Sequence, residues 1–573
     1  MLTSQWKSIL EARKPGATIV PVIISSDRTQ VTLFGSKTAY PVYLTIGNIP
    51  KDIRRKPSQR SQILLAYLPT TKLQHITSHA SRRRMLLNLF HSSLCRVLEP
   101  LELLGLEGIP MKDGYGTFRR THPILALFVA DYPEQVLVTC IKSGSCPKCP
   151  VERDKLGDYL VALGRRDFDS VKAALRKVDG SPHDYEAACA LAGIKPVYRP
   201  FWSRLPYVDI FQSISPDILH QLHQGVFKHL LKWLVAVYSP AELNARYQRL
   251  IPNHYVRIFS NGITGLSRVT GKEHDQISRV ILGVIIDMHL CNGLNASRLI
   301  RAVRSLLDFL YLAKLPLQTT QTLHRLYNAL RDFHENKSIF VDLGVRQNFN
   351  FPKIHSCLHY ASSIHLFGTT DNYDTQYTER LHIDLTKKAY RATNTKNEVP
   401  QMTVWLERQE KLFRHQEYIK WHEGVDDDNQ YNSQVPPMLR PERHIKMAVH
   451  PSLYSIPIDT LVSDYGAVHF RDAFARFAAG WINPGFNRAQ VERVSLNINI
   501  PFTTVSVYHR IKFVNKGETE IVDTLHIQPC QKNKQGHYNP QRFDTALVHV
   551  GGQGIHGTLK IIHDQSSSSH YSW

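Results

Sequence analysis

Cysteine is scarce in this chain: 8 cysteines among 573 residues are too few for a scaffold held together by disulfide bonds. The N-terminal sequence, MLTSQWKSILEARKPG, lacks the apolar segment of a secretory signal. The apolar run at 280–290 is short and contains Asp287, whereas a membrane-spanning helix needs about 18 or more apolar residues. We therefore expect an intracellular, soluble protein without membrane attachment.

Acidic residues are also in deficit. The chain has 49 Asp and Glu against 70 Lys and Arg, for a formal charge of +21 and a pI near 9.5. Dispersed positive charge of this size favours a polyanionic partner, most simply a nucleic acid, because phosphate backbones attract Lys and Arg. An ordinary basic enzyme is the alternative. The hydrophobic fraction of 42% is enough for buried cores, so general disorder is excluded.

Two strand-like segments each end on a single aspartate. The β-branched run TIVPVIIS begins at Thr18 and is followed by Asp27, and PILALFVA begins at Pro123 and is followed by Asp131. Glu379 lies much later, in a predicted helix over 376–391. Carboxylates at neighbouring strand ends and on an adjacent helix can converge on one point and bind Mg²⁺ or Mn²⁺. Aspartate after a strand is also common in turns, so the spacing alone leaves both interpretations open.

The spacing of Cys146 and Cys149 suits a zinc knuckle, with Cys140 just upstream. His220 and His223 follow Asp217 at intervals of three residues on one predicted helix, which we expect to begin at Ser215–Pro216. They could complete a Cys/His site. The alternative is a pair of reduced, partly buried cysteines and a polar helix face. Other histidines, His355, His359 and His382, could contact phosphate or order the acids, or could simply be core or surface groups.

Longer stretches carry a family resemblance. VPVIISSDRTQVT, AYPVYLTIGNIPKDIRRKPS, ADYPEQVLV, CPKC, SPDILHQLHQGVFKHLLKWL, TGKEHDQISRV, FPKIHSCLHY and DNYDTQYTERLHIDLTKKAYRATN resemble Plavaka-type transposases, which belong to the CACTA-like cut-and-paste transposons of fungal genomes. The resemblance covers roughly 16–550 and keeps the order of the family's motifs. Two departures, Gln376 where an acid is common and a tail that does not match the family's ending, lead us to expect a truncated or decayed copy.

The resemblance implies a fold. It is an α/β protein with an RNase H-like catalytic core, a large all-α insertion and a small C-terminal α+β domain. The expected segments are 16–139 for the first part of the core, 140–350 for the zinc-knuckle and helical insertion, 351–423 for the closing helical part of the core, 424–444 for a linker, 445–556 for the C-terminal domain of unknown function, and 557–573 for a disordered tail.

The resemblance also implies a function. Asp27, Asp131 and Glu379 match the three acids of a DDE transposase, which would hold two Mg²⁺ or Mn²⁺ ions, cut DNA at transposon ends and join the freed 3′-hydroxyl to target DNA. Asp217 and His220 match an acid–His motif of related transposases, and Cys146 and Cys149 match their paired-cysteine element.

The expected partners follow from the same resemblance. DNA is the expected partner, with no small-molecule substrate, and the protein would act in the nucleus as a homo-oligomer on DNA. The candidate DNA contacts are Arg54, Arg55, Lys56, Lys387 and Lys388. Two other classes stay open: a non-catalytic DNA-binding or assembly protein derived from a transposase, and a zinc-stabilised basic protein without nuclease ancestry.

Overall fold

We describe a computed structural model of the chain. It describes residues 14–32, 37–113, 116–159, 163–251, 256–290, 293–423, 443–448, 450–515, 521–532, 538–539 and 542–543, and, before these, Trp6, Leu10 and Ala12. The chain divides into two compact units, Met1–Asn244 with Thr264–Asn432, and Ala245–Ile263 with Ser433–Trp573. The expected linker falls mostly outside the described residues, as do the expected tail and the strand-like run at 545–550.

The first unit is built on a mixed sheet of five strands in the order β5-β4-β1-β7-β6. The strands of this unit, including the short pair β2 and β3, are β1 Thr18–Ser26, β2 Thr29–Gln30, β3 Thr38–Ala39, β4 Pro41–Ile46, β5 Ile63–Tyr67, β6 Ile109–Lys112 and β7 Phe118–Val129. The strands predicted from TIVPVIIS and PILALFVA are confirmed, because their apolar and β-branched residues fit two largely buried strands of this sheet.

Helices surround this sheet and continue through the rest of the first unit. In chain order they are α1 Lys51–Arg54, α2 His79–Leu98, α3 Pro100–Glu107, α4 Tyr132–Val138, α5 Phe168–Leu175, α6 Pro182–Leu191, α7 Ile218–Phe227, α8 Lys228–Tyr238, α9 Pro240–Gln248, α10 Gly271–Ser278, α11 Ile281–Ile285, α12 Ala296–Ala313, α13 Thr320–Asn336, α14 Ile339–Asp342, α15 Pro352–Ser356, α16 Tyr360–Phe367, α17 Thr375–Leu381, α18 Lys388–Arg391 and α19 Glu398–His422. Helix α7 consists of wide π turns, as does the segment His382–Lys387 between α17 and α18.

Short 3-10 turns connect several of these elements, at Pro57–Gln59, Arg153–Lys155, Arg176–Asp179, Phe201–Ser203, Cys357–His359 and Thr370–Asn372. The core of the unit lies between the sheet and α2, α4 and the 3-10 turn at Phe201. Phe128, Phe201, Trp202 and Phe211 are almost completely buried there. This packing fixes the ends of β1 and β7, where the predicted acids lie.

The second unit is described by itself. It contains helices α20 Ile458–Tyr465, α21 Phe470–Ile482 and α22 Arg488–Ser495, and the strands β8 Arg443–Met447, β9 Leu453–Pro457, β10 Thr504–Val507, β11 Arg510–Asn515, β12 Ile521–Gln528, β13 Gln531–Lys532, β14 Tyr538–Asn539 and β15 Arg542–Phe543. Four of these strands form a sheet in the order β15-β12-β11-β8. The described part of this region is therefore mixed α and β.

The architecture is mixed α/β, as the sequence predicts. The RNase H-like assignment, the helical insertion and the segment boundaries stay predictions. None of the described helices has the length and apolar character needed to span a lipid bilayer.

Candidate functional site

The sheet register brings three aspartates to one edge. β1 and β7 are parallel, and Ser25 is paired with Val129, so Asp27 and Asp131 each lie two residues beyond an aligned pair. Ile214 forms a parallel bridge with Phe128, so Asp217 and Asp131 each lie three residues beyond that bridge. Because neighbouring strands are about 4.8 Å apart, the three carboxylates lie side by side at the carboxyl end of the sheet.

Glu379 reaches the same edge from helix α17. Its Oε1 is 3.1 Å from His220 Nε2, and the other ring nitrogen of His220, Nδ1, is 3.1 Å from Asp217 Oδ2. His220 thus bridges the helix acid and the buried strand-end acid. Burial alone would lower the pKa of His220, but its hydrogen bonds with Asp217 and Glu379 raise that pKa to about 11. His220 therefore carries a positive charge between Asp217 and Glu379.

Asp27 and Asp131 are half-buried. Burial and the neighbouring Asp131 carboxylate raise the pKa of Asp27 to about 6, and burial also raises the pKa of Asp131. Asp131 is the N-cap of helix α4, and its Oδ1 accepts a hydrogen bond of 2.9 Å from Glu134 N. The helix-capping role thus uses one of the two carboxylate oxygens.

Asp217 is different, because it is 2% exposed and its oxygens are used internally. It accepts hydrogen bonds from His220 N, at 3.2 and 3.1 Å, from Gln221 N, at 3.0 Å, and from the Thr375 hydroxyl. The hydrogen bond and charge of the His220 imidazole, followed by the bonds from the Thr375 hydroxyl and the His220 N–H, hold the pKa of Asp217 below its ordinary value in spite of the burial. Asp217 caps helix α7, so the helix starts at Ile218 and not at the predicted Ser215–Pro216.

The cysteine pair lies in a second cluster. Cys146 Sγ is 3.3 Å from His359 Nε2, and Cys149 Sγ is 3.1 Å from His355 Nε2. All four residues are buried, and their ligand atoms lie within 4.8 Å of one another. Two thiols and two imidazoles in this arrangement could hold a metal ion such as zinc in a closed tetrahedral site.

This geometry corrects the predicted partners of the cysteines. His220 is bound to Asp217 and Glu379 instead. His223 is 2% exposed, and its Nε2 lies 3.8 Å from Asp275 Oδ1. The sequence carries a comparable signal at His355 and His359, four residues apart, and only the folded contacts distinguish the two histidine pairs.

Cys140 and His382 lie outside the Cys/His cluster, and His382 interacts electrostatically with Glu379. Cys140 is buried, with its Sγ 3.1 Å from His91 Nε2. His382 is buried against Tyr43, with ring centroids 5.6 Å apart, and burial lowers its pKa to about 4.

The predicted DNA contacts differ in exposure. The structure corrects the prediction for Arg54. This residue is 6% exposed, and its guanidinium donates to Asn372 Oδ1 at 2.5 Å, so it is not at the surface. Arg55 is 3.4 Å from Asp52, and Lys388 is 2.7 Å from Asp384. Lys56 and Lys387 are partly exposed.

Contacts from the Cys/His cluster reach the acid cluster. Lys148 Nζ donates to the carbonyl oxygen of Ile214 at 2.7 Å. Lys353 Nζ donates to that of His220 at 2.8 Å, and the Tyr360 hydroxyl donates to that of Asp217 at 2.5 Å. Residues next to the Cys/His cluster therefore hold the backbone that carries Asp217 and His220.

Fold and site together define a mixed α/β protein with an acidic centre at a sheet edge and a buried Cys/His cluster beside it. Residues 1–234 match the family model described as Plavaka transposase, which supports a Plavaka-type transposase and confirms the resemblance seen in the sequence motifs. The match includes Asp27, Asp131, Cys146, Cys149 and Asp217, and Glu379, His355 and His359 lie beyond it. Comparison with curated proteins gives no match.

Proposed function

We propose that this chain is a DDE-type transposase, or a remnant of one, whose acidic centre binds Mg²⁺ or Mn²⁺ and cleaves DNA at transposon ends. One observation carries the proposal: the register of β1 and β7 places Asp27 beside Asp131, and His220 joins Glu379 to the same edge. The Asp131 carboxylate helps to raise the pKa of Asp27, and hard carboxylate oxygens brought together in this way form a donor set that suits a hard divalent cation.

The chemistry has two steps. In the first, a water oxygen bonds to phosphorus and the bond to the 3′-oxygen breaks, leaving a 3′-hydroxyl. In the second, that hydroxyl attacks a phosphodiester of target DNA and displaces another 3′-oxygen. A bound pair of divalent ions would neutralise charge on the attacking and leaving oxygens. Asp27, Asp131 and Glu379 would hold these ions, and His220 and Asp217 would orient Glu379.

Plasmid nicking in Mg²⁺ or Mn²⁺ tests this function. Asp131→Asn should abolish nicking and leave the fold intact, because Asn is as good an N-cap as Asp. The matched control is Asp167→Asn at the N-cap of α5, where Asp167 bonds to Ser170 N at 3.0 Å. Nicking that survives Asp131→Asn would refute the proposed centre.

The Cys/His cluster supports a second part of the proposal, a structural zinc ion held by Cys146, Cys149, His355 and His359. Metal analysis of the purified protein should give about one zinc per chain, and Cys149→Ser should lose it. Cys357→Ser is the control, because Cys357 is also buried and stands outside the cluster. A zinc content near zero in the parent protein would refute this assignment.

We also propose nuclear DNA as the partner, bound by a homo-oligomer. The alternative function is that of a transposase-derived protein that binds DNA without cutting it, and the charge of +21 suits DNA binding in both cases. That protein would bind DNA in a salt-sensitive way without nicking it, and Asp131→Asn would leave its DNA binding unchanged.

A further inference from the structure

A further carboxyl group, that of Glu134, lies next to Asp27 and Asp131. Glu134 is in the first turn of α4, three residues after Asp131, and is 8% exposed. Its side chain extends from α4 towards the end of β1 and Tyr40, the residue before β4. A carboxyl group is costly to bury unless its oxygens are hydrogen-bonded, so its contacts indicate its role.

The carboxyl of Glu134 accepts hydrogen bonds from two hydroxyls. The Tyr40 hydroxyl is 2.6 Å from both oxygens, and the Ser26 hydroxyl donates to Oε1. Ser26 directly precedes Asp27. Successive side chains of a strand point to opposite faces, so the Ser26 hydroxyl can contact Glu134 on one face while the Asp27 side chain lies on the other.

The backbone of Glu134 completes the link. Its N–H donates to Asp131 Oδ1 at 2.9 Å. One residue therefore binds the end of β1 through its side chain and the carboxylate after β7 through its main chain. The sheet register sets the two strands in line, but β1 has no further ladder pair with β7 beyond Ser25.

We infer that Glu134 is a positioning residue that fixes the spacing of Asp27 and Asp131 for binding of divalent ions. The inference rests on the proposed function. The effect should resemble that of other groups behind metal ligands, whose loss weakens metal binding by about 10–100-fold.

The test is Mn²⁺ binding by the full chain, measured from the electron paramagnetic resonance signal of free Mn²⁺. Glu134→Ala should weaken binding at least about tenfold. Glu134→Gln should restore it to within about threefold, because one amide oxygen can accept from both hydroxyls. Val136→Ala is the control, since this buried residue of the same helix should reduce thermal stability without changing Mn²⁺ affinity.

Two further comparisons give each outcome a meaning. Ser26→Ala removes a single hydroxyl and should weaken Mn²⁺ binding even if Glu134→Ala does not fold. The positioning role is refuted if Glu134→Ala binds Mn²⁺ within twofold of the parent while Asp27→Asn and Asp131→Asn do not. If Glu134→Ala does not fold, Ser26→Ala takes its place in this comparison. If the two Asp→Asn variants also bind normally, the proposed metal centre itself fails.

Discussion

The pair formed by Asp217 and His220 allows a quantitative prediction. We consider His220→Ala, Asp217→Asn and the double variant. Removing one partner of a buried ion pair costs about 3–5 kcal/mol. Asp217 is 2% exposed but keeps the donors His220 N, Gln221 N and the Thr375 hydroxyl. These donors reduce the expected loss for His220→Ala to about 2–4 kcal/mol.

The bond from His220 to Glu379 adds little to this figure. The Glu379 side chain is 44% exposed, and exposed pairs contribute about 0–1 kcal/mol. The interaction between the two substitutions should therefore come mainly from the buried pair. We expect a coupling free energy of about 1.5–3 kcal/mol from the double-mutant cycle.

The assay is urea-induced unfolding without added Mg²⁺ or Mn²⁺. His183 and Asp184 provide the control cycle, because their side chains are 92% and 74% exposed and His183 Nδ1 is 3.6 Å from Asp184 Oδ1. That cycle should give a coupling near zero. A coupling below about 0.5 kcal/mol for Asp217 and His220 would refute the buried-pair reasoning, because it would mean that the imidazole does not stabilise the carboxylate.

Three further predictions concern the elements around the site. Burial raises the pKa of Asp374 to about 7, so its contribution to stability is present at low pH and is lost between about pH 4 and 7; the stability of Asp374→Asn should therefore rise relative to the parent by about 4 kcal/mol over this range in a pH series of unfolding curves. Gly225→Ala places a methyl carbon 2.7 Å from both Lys353 Cδ and the His220 carbonyl oxygen and should cost about 1–3 kcal/mol in urea unfolding. Phe128→Ala removes a ring that is completely buried and should cost about 3–5 kcal/mol in the same assay. The absence of a pH trend for Asp374→Asn would contradict the argument from burial. Losses below about 0.5 kcal/mol for Gly225→Ala or Phe128→Ala would contradict the packing arguments.

The sequence predicts much of the local structure around the site. The β-branched runs before Asp27 and Asp131 form β1 and β7 as expected, because β-branched and apolar side chains fit the pleated, buried surface of a sheet. The start of α7 was two residues off. Ser215 is a good capping residue by type, but the carboxylate of Asp217 is the one that meets the free N–H groups.

The pairing of distant residues was harder to predict. Arg54 lies in a strongly basic stretch and looked exposed, yet its guanidinium bonds to Asn372, 318 positions away. Its burial depends on where the loop around Asn372 packs, and no pattern near Arg54 encodes that.

By itself, the sequence determined the class of the protein, the strands, the family resemblance and the residue types available for chemistry. Periodicity and capping depend on residues that are close together in the chain, and composition depends on the residue types alone, so all of them can be read from the sequence. Only the tertiary structure decided that His355 and His359 lie against Cys146 and Cys149, and that His220 joins Asp217 to Glu379. Those choices depend on sheet register and helix packing, which bring residues more than 150 positions apart within hydrogen-bonding distance.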